Sequence, residues 1–419
     1  MLLPIVQAAT CLVGLLLAMI LAHVGSFCYI AFAFTGSFAV YLYLGRPSRR
    51  ELLWAALTSG IYLGIYALLR GQFLSYAWSG IGTPGAFLGL GSLAFVSVRW
   101  AWVAKEQRRA LSSLLGWMTV VPILCVCSIA AVSIAASLTP YTYDLYLYQF
   151  DSRLGFEPSF QVGQWFATSR VLFLACALAY NSLPLLLALS LAIWQKRHGP
   201  GSADFRLACI LLGVLGFVAY QVCPAAGPIY TYPNLFPFAP PAVAAGSVAP
   251  IHLDSVPRNA MPSLHVGWVL LFLWNSRGLG RFAKLLAISY LPLTALATLG
   301  SGEHYLVDLL VAVPLCLLVQ AVSAHHSALT TRLMAIAAGA GILGSWLLTL
   351  RWGKAVHGIS PMFSWALLAT TVAACLFLKR LLDRGAAPVG AEGECWDSLS
   401  ASGPGADKED EAPVLSHQR

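Results

Sequence analysis

The chain has 419 residues, 58% of them hydrophobic and 10% charged, and a net charge of +8. A soluble chain carries about 25% charged residues, so a soluble globular fold is excluded and a polytopic membrane protein is indicated. The basic excess does not mark a nucleic-acid surface, because it is spread along the chain in a pattern that reads as topology.

Spans of about 20 apolar residues are predicted near 3–22, 26–44, 52–69, 87–104, 114–137, 171–194, 207–223, 264–275, 284–301, 305–323, 333–350 and 362–378. This describes an all-α polytopic membrane protein of about twelve transmembrane helices. Lys and Arg gather in alternate connections: Arg46, Arg49 and Arg50; Lys105, Arg108 and Arg109; Lys196, Arg197 and Arg206; Arg277, Arg281 and Lys284; Arg332; Lys379, Arg380 and Arg384. The intervening connections hold 6 basic residues against these 16. The positive-inside rule then puts both termini in the cytoplasm. The first span lacks a basic n-region and a small-residue cleavage site, so it reads as retained. The ten cysteines are scattered without a CxxC pair, which indicates neither a disulfide framework nor a zinc site.

Two segments between spans have compositions of their own. Tyr141 to Phe156 mixes aromatics with charge and suits a helix lying in the membrane interface. The connection from about Pro224 to Pro262 is rich in Pro and Ala, and a loop this long is uncommon unless it has a function or is disordered. It feeds directly into a candidate site, which favours an ordered cap. After the last span, the chain from Gly385 is rich in Gly, Ser and acidic residues and reads as a disordered cytoplasmic tail. The expected organisation is a four-span region over 1–113, a catalytic membrane domain over 114–330, two further spans over 331–384 and the tail over 385–419. No solenoid repeat, Walker loop or dinucleotide fingerprint occurs, and no cofactor or metal is expected.

The chemistry gathers at two histidines 39 positions apart, each at the mouth of a span. His265 lies in Met261-Pro262-Ser263-Leu264-His265, and His304 in Gly302-Glu303-His304-Tyr305-Leu306-Val307-Asp308. An ionisable group inside a bilayer is expensive and marks a functional site, and Asp308 stands one helical turn from His304. The charge map places both histidines at the same extra-cytoplasmic face. A neutral imidazole attacks phosphorus when one nitrogen is free and a carboxylate holds the other as a donor. A second histidine then serves as acid and base. Ser263 adds a hydroxyl at a helix N-terminus, and Arg258 offers a guanidinium for phosphate oxygens. The remaining histidines read as interfacial residues.

Pro262-Ser263-Leu264-His265 resembles the PSGH signature of the phosphatidic acid phosphatase type 2 superfamily. Gly302 to Asp308 resembles the end of its SRxxxxxHxxxD signature. The likeness is nearer to the inositol phosphorylceramide synthase-like branch, whose members carry PSLH and HYxVD. Pro224-Ala225-Ala226-Gly227-Pro228 and Asp151-Ser152-Arg153-Leu154-Gly155 also look like that branch. The resemblance covers roughly 140–325 and implies a six-helix catalytic bundle. By it His304 is the nucleophile, Asp308 its orienting carboxylate and His265 the general acid and base. It departs from the superfamily in three places: Thr298 stands where an Arg is usual, Leu264 replaces a Gly, and no KxxxxxxRP precedes the first His. Phosphate anchoring then falls to Arg258, Ser263 and Arg153, with Arg170 a further candidate.

The expected function is an integral-membrane lipid phosphotransferase moving a phospho-alcohol headgroup, phosphoinositol among the candidates, to a lipid hydroxyl. Its partners are a lipid phosphoester and a lipid alcohol or water, and its site faces the periplasm or a lumen. The alternatives are a lipid phosphate phosphatase, acting on phosphatidate or an isoprenyl diphosphate, and a non-enzymatic transporter.

Overall fold

The computed structural model describes residues 27–70, 78–198, 204–242, 248–254, 256–276, 279–353 and 360–384. The expected span at 3–22 and the expected tail lie outside the described residues. The chain is helical almost throughout: α1 (Phe27–Val40), ending in a π-turn at Tyr41–Gly45, α2 (Arg49–Arg70), α3 (Trp78–Trp102) and α4 (Lys105–Leu138). There follow α5 (Asp144–Ser152), α6 (Pro158–Thr168), α7 (Arg170–His198), α8 (Asp204–Val222) and the single turn α9 (Pro228–Thr231). The remainder is α10 (Leu264–Asn275), α11 (Arg281–Gly300), α12 (Leu306–Ser323), α13 (Leu329–Trp352) and α14 (Pro361–Arg384).

Nine of these, α2, α3, α4, α7, α8, α11, α12, α13 and α14, are long and apolar enough to cross a membrane among the described residues. Among the described residues, two of the expected spans fall short by length. Two predicted spans are shorter apolar helices, Tyr29–Gly45 and Leu264–Asn275. Twelve residues rise about 18 Å, short of a hydrocarbon core of about 30 Å. Helix α10 keeps the bounds expected of it, starting after the extended Ser263, which leaves His265 inside its first turn. The helix expected at 114–137 instead begins at Lys105 and runs 34 residues, so the basic cluster expected in a loop forms its first turns. Position 113 thus lies within one continuous helix. The segment expected at the interface folds as the short helix α5, and after Arg153–Glu157 a second short helix, α6, opens at Pro158.

Helix α12 is the centre of the fold. Of its apolar stretch 78% is buried, against 22–44% for the other spans, so its polar residues face protein rather than lipid. Helices α8, α10, α13 and α14 surround it, and α11 packs on α7 and α10. Helix α1 lies against α3, α4 and α7, which carries the first part of the chain up to the same core. The long loop is pinned by a two-residue antiparallel ladder that pairs Tyr141 with His252 and Thr142 with Ile251.

Candidate active site

The site is built on the N-terminus of α12. The first N–H groups of a helix have no intrahelical partner and favour negative charge. Here two carboxylates supply acceptors. Asp308 accepts the Tyr305 N–H at 2.8 Å, and Asp151 from α5 accepts the N–H groups of Leu306 at 2.6 Å and Val307 at 3.1 Å. Just upstream, the Ser159 hydroxyl of α6 donates to the His304 carbonyl at 2.7 Å. His304 is thus fixed through its own backbone and both neighbouring turns.

Its ring is 1% exposed. Nδ1 lies 3.5 Å from Asp308 Oδ2, and Nε2 lies 3.4 Å from the Ser263 hydroxyl. Neither His304 Nδ1 nor Asp308 Oδ1 has a hydrogen-bond partner, and such pairs commonly tighten when substrate arrives. Burial pushes the imidazole down to about 4, against smaller upward contributions from Glu303 and the Ala260 backbone. It is therefore neutral near pH 7, the form a nucleophile requires.

Ser263 caps α10 without its side chain bonding any of that helix's N–H groups, and its own N–H donates to the Asp308 carbonyl at 3.1 Å. That bond ties the start of α10, which carries His265, to the first turn of α12, next to His304. His265 is half-buried, with its ring stacked on Tyr180 of α7 at 4.2 Å and 27°. The Tyr180 hydroxyl donates to Glu303 at 2.9 Å, one residue before His304.

A second buried carboxylate shapes the loop above. Asp144 accepts from Ala226 at 3.0 and 3.1 Å and from Gly227 at 2.7 Å. Gly227 has φ +99°, and a Cβ there would lie 2.4 Å from the Glu303 carbonyl oxygen, so only glycine fits. The Ile229 N–H then donates to the Gly302 carbonyl at 2.9 Å. Burial raises the carboxyls of Asp144 and Asp151 above the usual range, and the backbone donors offset part of that rise.

Ser263, His265, His304 and Asp308 are therefore brought together. Arg258, expected at phosphate oxygens, is instead fully buried. Its guanidinium donates to the carbonyls of Thr139 at 3.0 Å, Val256 at 2.8 Å, Pro140 at 3.3 Å and Leu253. It latches the long loop to the end of α4. Arg153 is half-buried just past α5, Arg170 is exposed at the head of α7, and Thr298 is buried with its hydroxyl turned back to the Ala295 carbonyl at 3.0 Å. The sequence reading passed over Asp144, Asp151, Ser159, Tyr180 and Glu303 as site residues. The segments holding Asp151 and Gly227 drew attention through their composition and the family likeness, and Tyr180 carried no local signal.

The most buried helix of this apolar bundle opens on a His–Asp pair, a set of ionisable groups of the kind that marks a functional site. The sequence model of the PAP2 superfamily matches residues 145–322, from α5 to the end of α12. Members of that superfamily are phosphatases or phosphotransferases that act on lipid phosphoesters in the membrane. The match leaves α1 to α4, α13 and α14 outside it and reaches no particular branch. No curated protein and no solved structure matches the chain at comparable significance.

Proposed function

We propose that this protein is a lipid phosphotransferase that moves a phospho-alcohol headgroup from a phospholipid to a lipid hydroxyl through a phosphohistidine intermediate. The observation that carries the reading is the two-sided environment of His304, with Nδ1 towards Asp308 and Nε2 towards Ser263. In the first step Nε2 bonds to phosphorus and the phosphorus–oxygen bond to the donor lipid breaks. The leaving oxygen takes its proton from the His265 imidazolium. In the second step the acceptor hydroxyl gives its proton to neutral His265 as its oxygen bonds to phosphorus, and the phosphorus–nitrogen bond breaks. Asp308 holds the Nδ1 proton and stabilises the charge that develops on the ring.

Ser263 and the first N–H groups of α10 receive the phosphate oxygens in this scheme, with Arg153 as the candidate cation. The Pro-Ser-Leu-His and His-Tyr-Leu-Val-Asp sequences favour the inositol phosphorylceramide synthase-like branch, and Thr298 at the usual arginine position favours transfer over plain hydrolysis. The charge pattern supports cytoplasmic termini and a site on the periplasmic or lumenal face.

The test uses purified protein in nanodiscs with phosphatidylinositol and ceramide, and separately with phosphatidate. Exchange of the headgroup between lipids is expected, and its loss in His304→Ala and His265→Ala while both variants remain folded. Release of free phosphate from phosphatidate with no exchange would make the protein a phosphatase. Full activity in either variant would sink the mechanism.

A further inference from the structure

His265 is held by rings from two different parts of the chain. Tyr180 of α7 stacks on it at 4.2 Å, and Tyr29 of α1 meets it in a T-shaped contact at 5.5 Å and 73°. Trp268, three residues along α10, adds a T-shaped contact at 6.2 Å. Tyr29 and Tyr180 also contact each other, with ring centroids 6.3 Å apart. Tyr29 stands outside the segment that matches the superfamily, on a helix that packs along α7.

Stacked and edge-to-face ring pairs have preferred geometries and resist rotation of the rings they join. An imidazole free to turn about its side-chain bonds would present its nitrogens to the reacting phosphate only part of the time. Tyr180 does more than stack, because its hydroxyl donates to Glu303, the neighbour of His304. The ring that sets the plane of one histidine is thereby tied to the loop carrying the other. The same wall remains half-open, since Tyr29, Tyr180 and His265 are only partly buried, whereas His304 is sealed.

We propose that Tyr29 and Tyr180 form an aromatic clamp that positions His265, and that α1, a helix outside the matched segment, thereby completes the site. Both tyrosines are positioning residues. The proposal rests on His265 being the acid and base of the function proposed above.

The experiment compares wild type with Tyr180→Leu, Tyr180→Phe and Tyr29→Leu, each checked for a monodisperse folded state in detergent. Two readouts are taken: kcat and KM for headgroup exchange, and the rate at which diethyl pyrocarbonate modifies His265, mapped by mass spectrometry. His252, whose side chain is 52% exposed, is the internal reference. Each leucine variant is expected to lower kcat about tenfold with KM little changed, the scale of one lost ring pair, and to raise His265 reactivity several-fold over His252. Tyr180→Phe keeps the stacked ring and should restore most of the protection of His265. A leucine variant with wild-type kcat and wild-type His265 reactivity would overturn the clamp. If wild type turns over no lipid phosphoester, the functional proposal fails, and the reactivity of His265 still decides the clamp.

Discussion

Asp151 accepts the Leu306 N–H at 2.6 Å across 155 positions of sequence. The contact joins the short helix α5 to the first turn of the most buried span, and it fixes the backbone next to His304. A carboxylate here satisfies two helix N-terminal donors at once and opposes the positive end of the helix dipole.

Replacing Asp151 with Asn keeps one acceptor and turns an NH₂ group towards the remaining N–H. Loss of one buried hydrogen bond that leaves its donor unsatisfied costs about 1–3 kcal/mol. Asp151→Asn is expected to unfold several degrees earlier in detergent and to lose turnover with it. An unchanged melting temperature would mean that Asp151 does not hold α12.

Arg258 makes a separable case. Four backbone carbonyls receive its guanidinium, an arrangement that the single ammonium of Lys cannot reproduce. Arg258→Lys should therefore lower the melting temperature, at a cost of about 1–3 kcal/mol, and raise protease sensitivity in the long loop. A phosphate ligand would behave differently, leaving stability intact and raising KM. That second pattern would return Arg258 to the substrate.

How much of this was legible in the sequence depends on the range of each interaction. Nine of the expected spans were legible because a run of about 20 apolar residues is a local signal. The His304–Asp308 pair did so because one helical turn separates its members. Helix ends were harder: Lys105 to Arg109 read as a loop because charge usually ends a span, yet α4 carries its helix through them. The supports of the site were hidden for a different reason. Asp144 reaches Ala226 across 82 positions, Ser159 reaches His304 across 145 and Tyr180 reaches Glu303 across 123. No local periodicity encodes such pairings. Arg258 was visible as a cation, but only the fold shows that its donors are taken by carbonyls.

The neutral state of His304 has a consequence for stability. Burial lowers its pKa from the model-peptide 6.5 to about 4, so between those values the unfolded chain binds a proton that the folded chain does not. Stability then rises with pH across that window. His304→Gln removes the titrating group, so its melting temperature should climb less steeply than that of wild type between pH 4.5 and 6.5. Parallel slopes for the two proteins would contradict a buried neutral imidazole.

Glu157 titrates in the opposite sense. It stands at the head of α6 among Tyr148, Asp151, Ser159 and Tyr305. Burial pushes its carboxyl up from 4.5 to about 7, against a smaller lowering by Tyr148. A raised folded-state pKa means that the protonated acid is the form the fold prefers. The contribution is complete below about pH 4.5 and is lost as pH rises through about 7. Glu157→Gln imitates the protonated acid at every pH. Its melting temperature should match wild type near pH 5 and exceed it by about 2 °C near pH 8.5, a modest gain because solvent reaches part of the carboxyl. A variant less stable than wild type at pH 8.5 would show that ionised Glu157 has a partner that stabilises it.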